Sequence, residues 1–331
     1  MDTECADAGF CLPSGRCGRY VWTQVSSALR PSARSGPGID WDSNRSRLVL
    51  FGGKQGDGGY PADVWEFDGM SWSPRSTTNS PGGREDPGLA FLPSTGMVLF
   101  GGNNGTYLQD TWILSGSNWS QSSTASFTPP ARDGHVFLRG RHLSTDSLVL
   151  FGGRNGANRF GDTWTWEPPS IGVTWNQLST SDPGPRRSGA AGVWEPRTVT
   201  SRFVVMGGIT DAGRTNEVIA REGTGPGRAW AVVPTIGVIE PAARSSHGAV
   251  WEPQRGRMLV FGGSDGTRVL NDLWEWSNGR WTERPTASGP SPRGNFVIAW
   301  HPLRNAAVLF GGALGDGGVT DETWLLEVES L

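Results

Sequence analysis

The residues best suited to chemistry in this chain are arginines that recur in one local setting. Arg34, Arg84, Arg132, Arg187, Arg244 and Arg293 each follow a proline by two or three residues: Pro31, Pro81, Pro130, Pro185, Pro241 and Pro290. A guanidinium is always charged and grips a carboxylate or phosphate through two parallel hydrogen bonds. Six of them around one opening would make an electropositive funnel for an anionic ligand. Arg187 and Arg244 precede serines, Ser188 and Ser245, whereas Arg84 precedes Glu85-Asp86 and Arg132 precedes Asp133. The Arg187–Arg244 sector is therefore expected to be the least neutralised, and alanine substitutions there the mildest. The alternative is architectural: acidic residues recur at matching intervals, and an Arg–acid bridge repeated six times would serve the fold alone.

Other chemistry is sparse. There is no Gly-x-Ser-x-Gly elbow, no His-Glu-x-x-His and no phosphate loop, since Lys54 follows Gly-Gly without the required glycine spacing. His135 and His247 share a slot three residues after Arg132 and Arg244, where a packed histidine is the expected role; His142 and His301 stand elsewhere. No catalytic residue, metal or cofactor is assigned. Cys5, Cys11 and Cys17 are the only cysteines. Short, even spacing points to a disulfide module and an oxidising compartment, and argues against zinc, which favours closer pairs. Residues 1–18 are read as this module, and the odd count as a sign of a truncated one within a longer parent protein.

The elements that must position these residues are repeats. The run Leu48-Val49-Leu50-Phe51-Gly52-Gly53 recurs at 97–102, 148–153, 203–208, 258–263 and 307–312. A short apolar run closed by two glycines reads as a buried strand ending in a tight turn. A polar loop follows, then an acid two residues before a tryptophan, as in Asp63-Val64-Trp65, Asp110-Thr111-Trp112, Asp162-Thr163-Trp164, Asp272-Leu273-Trp274 and Asp321-Glu322-Thr323-Trp324. The fourth copy, Asn216-Glu217-Val218-Ile219, lacks the tryptophan. A further strand carries one tryptophan each time: Trp22, Trp72, Trp119, Trp175, Trp230 and Trp281. Each unit thus has four strands in about 50 residues, labelled a to d, with the arginine leading into a, Gly-Gly closing b and the acid opening c. All 17 tryptophans fall in these strands, so none is left for a separate aromatic platform.

One such sheet cannot bury both faces alone, so the units must pack radially. The paired glycines, spaced acid-x-Trp and later tryptophan resemble the Kelch repeat family over residues 19–331. The resemblance implies an all-β, six-bladed propeller of four-stranded antiparallel blades. The last copy has no strand d, while the N-terminus offers an orphan strand, Arg19-Tyr20-Val21-Trp22-Thr23-Gln24. That strand is expected to complete the last blade and close the ring.

Length, 331 residues with 17 tryptophans, excludes a disordered chain, and no apolar run is long enough to insert in a membrane. A net charge of −3 without a basic run argues against nucleic acid as a partner. The reading is a monomeric recognition domain of a larger extracytoplasmic bacterial protein, secreted or on the cell surface. Its ligand would be a protein or peptide, acidic if the arginines bind it, or a polysaccharide, held at the channel mouth. In Kelch domains that capture acidic peptides, the arginine slot and the residues after Gly-Gly hold the ligand. The resemblance therefore points to Arg34, Lys54, Asn103, Arg132, Arg154, Asn155, Arg187, Ser188, Arg244, Ser245, Asp265 and Arg293. The alternative, of a different class, is a carbohydrate-active enzyme with its site at the same mouth; it would need a titratable group with a shifted pKa in a pocket.

Overall fold

A computed structural model describes residues 5, 9–12, 14–122, 127–142, 145–167, 175–178, 184–198, 200–223 and 228–331. Six of its sheets are antiparallel blades, each with four strands in the order a-b-c-d and the sixth with one more at its edge. Blade 1 is Gly38–Asp42, Arg47–Phe51, Val64–Phe67 and Trp72–Arg75. Blade 2 is Gly88–Leu92, Gly96–Phe100, Thr111–Ser115 and Asn118–Gln121. Blade 3 is Val136–His142, Thr145–Phe151, Thr163–Trp166 and Trp175–Gln177. Blade 4 is Ala191–Glu195, Arg202–Met206, Val218–Glu222 and Trp230–Val232. Blade 5 is Gly248–Glu252, Arg257–Ser264, Val269–Ser277 and Arg280–Glu283. Blade 6 is Val297–His301, Ala306–Phe310, Thr323–Ser330 and, from the N-terminus, Cys17–Val25. The a strands touch one another in chain order and the last touches the first, so they line a closed axis.

The expected closure is present. Strand Cys17–Val25 pairs antiparallel with Thr323–Ser330, in register from Gly18 opposite Ser330 to Val25 opposite Thr323. Each b strand is buried on both faces because alternate side chains enter opposite seams between blades. Leu48 and Leu50 pack towards blade 6, and Val49 and Phe51 towards blade 2. One apolar cluster fills each of the six seams. The inner strands approach closely: a Cβ at Gly248 would lie 2.5 Å from the Ile298 side chain.

Where the sequence suggests a separate cysteine module over residues 1–18, the described part of that segment belongs to the propeller. Phe10–Cys11 adds a short fifth strand to blade 6, with Phe10 opposite Gly18. Phe10 is fully buried against Tyr20, and the Arg255 guanidinium lies 3.5 Å from its ring centre. Arg255 also donates to the Tyr20 hydroxyl at 2.8 Å and to Glu275, tying the N-terminal strand to blade 5. Cys5 and Cys17 form a disulfide, and Cys11 is a free thiol.

Candidate functional site at the mouth of the axial channel

The six arginines do not face the mouth. All are 0–2% exposed: Arg34, Arg84, Arg132, Arg187, Arg244 and Arg293. Each folds back into its own blade and donates Nη1 to the carbonyl of the first glycine of Gly-Gly, at 2.9–3.1 Å. Each donates Nε to the carbonyl two residues before it. The remaining donors grip the strand-c acid. Four pairs are two-pronged, Arg34–Asp63, Arg84–Asp110, Arg132–Asp162 and Arg244–Asp272. Arg187–Glu217 and Arg293–Glu322 meet through one carboxylate oxygen.

The same acid accepts the indole N–H of the tryptophan two residues on, as in Trp65 to Asp63 at 2.7 Å and Trp112 to Asp110 at 2.7 Å. The acid-x-Trp spacing places both side chains on one face of strand c, where one carboxylate serves arginine and indole together. Burial pushes the carboxyls of Asp63, Asp110 and Asp272 up, but the arginine and indole donors outweigh it and hold them below the usual range. The expectation that Arg34, Arg132, Arg187, Arg244 and Arg293 bind a ligand is therefore corrected: their donors are committed inside the blade. The two arginines followed by serine are as buried as the rest.

The mouth itself is built by the residue two places after each arginine. Gly36, Asp86, Gly134, Gly189, Ser246 and Asn295 all adopt the left-handed conformation, with φ between 50° and 63°. Their backbones link neighbouring blades through N–H···O=C bonds of 2.6–2.8 Å: Gly36 to Asn295, Asn295 to Ser246, Ser246 to Gly189, Gly189 to Gly134, and Asp86 to Gly36. Among the described residues the sixth link, Gly134 N–H to the Asp86 carbonyl, is not made. The composition of this slot, three glycines with Asp, Ser and Asn, is the signal that sequence reasoning passed over, because glycine, asparagine and aspartate, five of the six, tolerate positive φ best.

Beneath this ring lies a cavity of about 230 Å³, lined by Asp86, Asp133, His135, Arg154, His247 and Asn295 among others. A second cavity of about 200 Å³ continues it along the axis between the a strands. The Asp86 carboxylate lies over Gly36, where an added Cβ would come within 2.4 Å of its Oδ1. Burial, then the charges of Asp133 and Glu85, push the Asp86 carboxyl up to about 7, against an opposing hydrogen bond from the Asn295 side chain. Burial and the nearby Arg132 and Arg244 push His135 and His247 down to about 3, so both are neutral.

Three of the sequence-selected residues surround the acidic side of this mouth. Arg154 donates Nε to Asp133 at 2.9 Å, Asn103 donates Nδ2 to the other Asp133 oxygen at 3.3 Å, and Lys54 Nζ lies 3.7 Å from Glu85. Ser188 lines the cavity. Asn155 is turned to the Ala131 carbonyl, and the Ser245 hydroxyl accepts from Arg214. Asp265 caps its own turn by accepting from Thr267 and Arg268, so it is not part of the mouth. On the rim, a groove of about 730 Å³ runs between the b-to-c loops of blades 5 and 6, past Arg268 and Asp316. No group of three or more metal-binding side chains occurs among the described residues.

A closed ring of six blades, each locked by one arginine and one acid behind a Gly-Gly turn and five of them by a tryptophan as well, defines a Kelch-type propeller. No protein-family model matches the chain. Over 202 residues, 56% of its length, it is 29% identical to an F-box/kelch-repeat protein of Arabidopsis thaliana, of whose length it spans 40%. The solved structure of YjhT superposes with a TM-score of 0.67 at 16% identity, covering 92% of this chain and 99% of that one. The chain is a six-bladed β-propeller whose repeats are similar to those of Kelch proteins.

Proposed function

We propose that this propeller is a recognition module that seats a segment of a partner protein over the channel mouth. Kelch-type propellers commonly act as protein-interaction modules. The observation that carries the reading is a division of labour. The repeated arginines, acids and tryptophans are spent inside the blades, while the b-to-c loops differ in every blade and two of them, through Arg154 and Ile209, reach an open polar cavity. Variable loops on a rigid scaffold are where specificity resides. The disulfide supports an extracytoplasmic setting, since such bonds persist in oxidising compartments.

The test is selection of peptide ligands on the full chain, followed by shortening of the loops at 154–160 and 264–269 in turn. Binding is expected to fall about tenfold or more in at least one loop variant. Binders indifferent to every loop and to the cavity residues would overturn the reading.

A second reading, a carbohydrate-active enzyme, is supported by one feature: a carboxyl raised to about 7 in a cavity that also holds Arg154. It requires turnover of a glycan by the purified chain, lost in Asp86→Asn. Glycan binding without turnover would count against it.

A further inference from the structure

The sequence suggested an anion site built from arginines, but the charge left uncommitted at the mouth is negative. Glu85 faces Lys54, and Asp133 is held by Arg154 and Asn103. Asp86 makes no ion pair among the described residues; the neutral Asn295 hydrogen-bonds its carboxylate, and Arg154, bound to Asp133, acts on it only through its charge. Arg214, in the b-to-c loop of blade 4, does not line the cavity and donates to the Ser245 hydroxyl.

An unpaired backbone carbonyl beside the Asp86 carboxylate also favours a guest with hydrogen-bond donors. The ring of backbone bonds is open only beside Asp86, leaving the Asp86 carbonyl without its N–H partner. His247, 6% exposed, lines the same cavity with neither ring nitrogen in a hydrogen bond; the Met206 backbone comes near without making one. His135 also lines the cavity with both nitrogens unpartnered. The nitrogens of both rings are buried behind the cavity wall, so what the cavity presents to whatever enters is the Asp86 carboxylate and a free carbonyl.

We infer that the axial cavity is a binding site for a cationic side chain, the ammonium of a lysine or the guanidinium of an arginine, carried by the partner segment. This inference rests on the recognition reading and names the chemistry it selects. Asp86 supplies the charge-assisted hydrogen bond. Its place over Gly36 fixes the carboxylate, because any side chain at that position would displace it.

The experiment uses n-butylammonium and n-butylguanidinium as side-chain probes, with n-butanol as the uncharged control, titrated into the full chain and followed through the backbone amide signals of Gly36, Asp86 and Gly134. Saturable shifts are expected with the cations and not with butanol. In Asp86→Asn and Asp86→Gly the affinity is expected to fall about tenfold or more. Both residues accept the left-handed backbone, and the slot holds glycine in three other blades and asparagine in blade 6, so each variant backs up the other. Asp265→Asn, outside the cavity, should bind as the wild type does. Cation affinity should also fall about tenfold per pH unit below about 7, as Asp86 takes up a proton. Glu85, Asp133 and Arg154 face it, with His135 and His247 neutral across that range. Equal binding by wild type and both Asp86 variants overturns the inference, as does the absence of saturable cation binding. A selected peptide that binds the rim with affinity unchanged in Asp86→Asn would leave the recognition reading standing and remove the cation site.

Discussion

Trp72 donates its indole N–H to the Thr323 hydroxyl at 2.8 Å, across the seam from blade 1 to blade 6. Thr323 is the residue between the strand-c acid and its tryptophan. The same bond joins Trp175 to Thr111 at 3.0 Å and Trp230 to Thr163 at 2.9 Å. In the other three seams that residue is Val64, Val218 or Leu273, and the facing Trp119, Trp281 and Trp22 have buried indole nitrogens without a partner. One hydroxyl thus decides whether neighbouring blades share a polar bond.

A first prediction follows from this contrast. Thr323→Val should cost about 1–2 kcal/mol, since it strands a buried donor. Val64→Thr, nearly equal in shape, should gain up to about 1 kcal/mol by giving Trp119 an acceptor. Denaturant melts of the two variants check this. A loss of stability in Val64→Thr would mean that the new hydroxyl does not reach the indole.

The arginine network gives a second. Removing one partner of a buried pair leaves the other without compensation, at a cost of about 3–5 kcal/mol. Arg187→Ala and Arg244→Ala are therefore expected to destabilise much as Arg84→Ala does, contrary to the gradation that the neighbouring serines suggest. The order should follow exposure of the acid. Arg132, whose Asp162 side chain is 15% exposed, should cost most, and Arg34, whose Asp63 is 40% exposed and better screened, least. Unfolding midpoints of the six alanine variants test the order, and a mild Arg132→Ala would sink it.

Closure gives a third. Deleting residues 1–24 removes strand d of blade 6 and bares the edge of Thr323–Ser330, so aggregation is expected. Deleting only residues 1–17 looks harmless from the sequence. The structure reverses that expectation, because Phe10 is fully buried in the seam between blades 5 and 6. Phe10→Ala alone should cost about 3–5 kcal/mol, and reducing Cys5–Cys17 about 3 kcal/mol. A melting temperature unchanged by Phe10→Ala would show that the segment is not part of the core.

Why the blades were legible and the mouth was not comes down to range. Gly-Gly, acid-x-Trp and the lone strand-d tryptophan are local signals, repeated six times, and each reports a contact within or next to its own blade. The missing last strand and the orphan Arg19–Gln24 could be matched by counting. Which way an arginine points is not local. Arg187 and Asp133 sit in similar slots one residue apart in the motif, yet one turns into the blade and the other to the axis. Phe10 lies outside the repeat and left no periodic trace. The ring of left-handed residues was visible as Gly36, Asp86, Gly134, Gly189, Ser246 and Asn295, but its meaning required the six to meet around one axis.

The last prediction concerns Asp86 and pH. Its carboxyl is raised from 3.8 to about 7 in the folded chain. A raised pKa means the folded state holds a proton that the unfolded state has released. Stability from this group is therefore full below about pH 4, declines as pH rises, and is lost once pH passes about 7. At 1.36 kcal/mol per unit, the ionised group costs the fold on the order of 4 kcal/mol at pH 8. Asparagine keeps the left-handed backbone and carries no charge beside Asp133 and Glu85. Asp86→Asn should then be more stable than the wild type at pH 8 by a few kcal/mol, and the difference should vanish near pH 4. His135 and His247, held neutral down to about 3, work the other way. Below pH 6.5 the unfolded chain takes up protons that these buried rings refuse, so both proteins lose stability on acidification. That loss is common to the pair, and the difference between their unfolding free energies isolates Asp86. Measured by denaturant titration from pH 4 to 8, a difference that does not grow with pH would show that the Asp86 carboxylate is compensated, and with it would go the proposed cation site at the mouth.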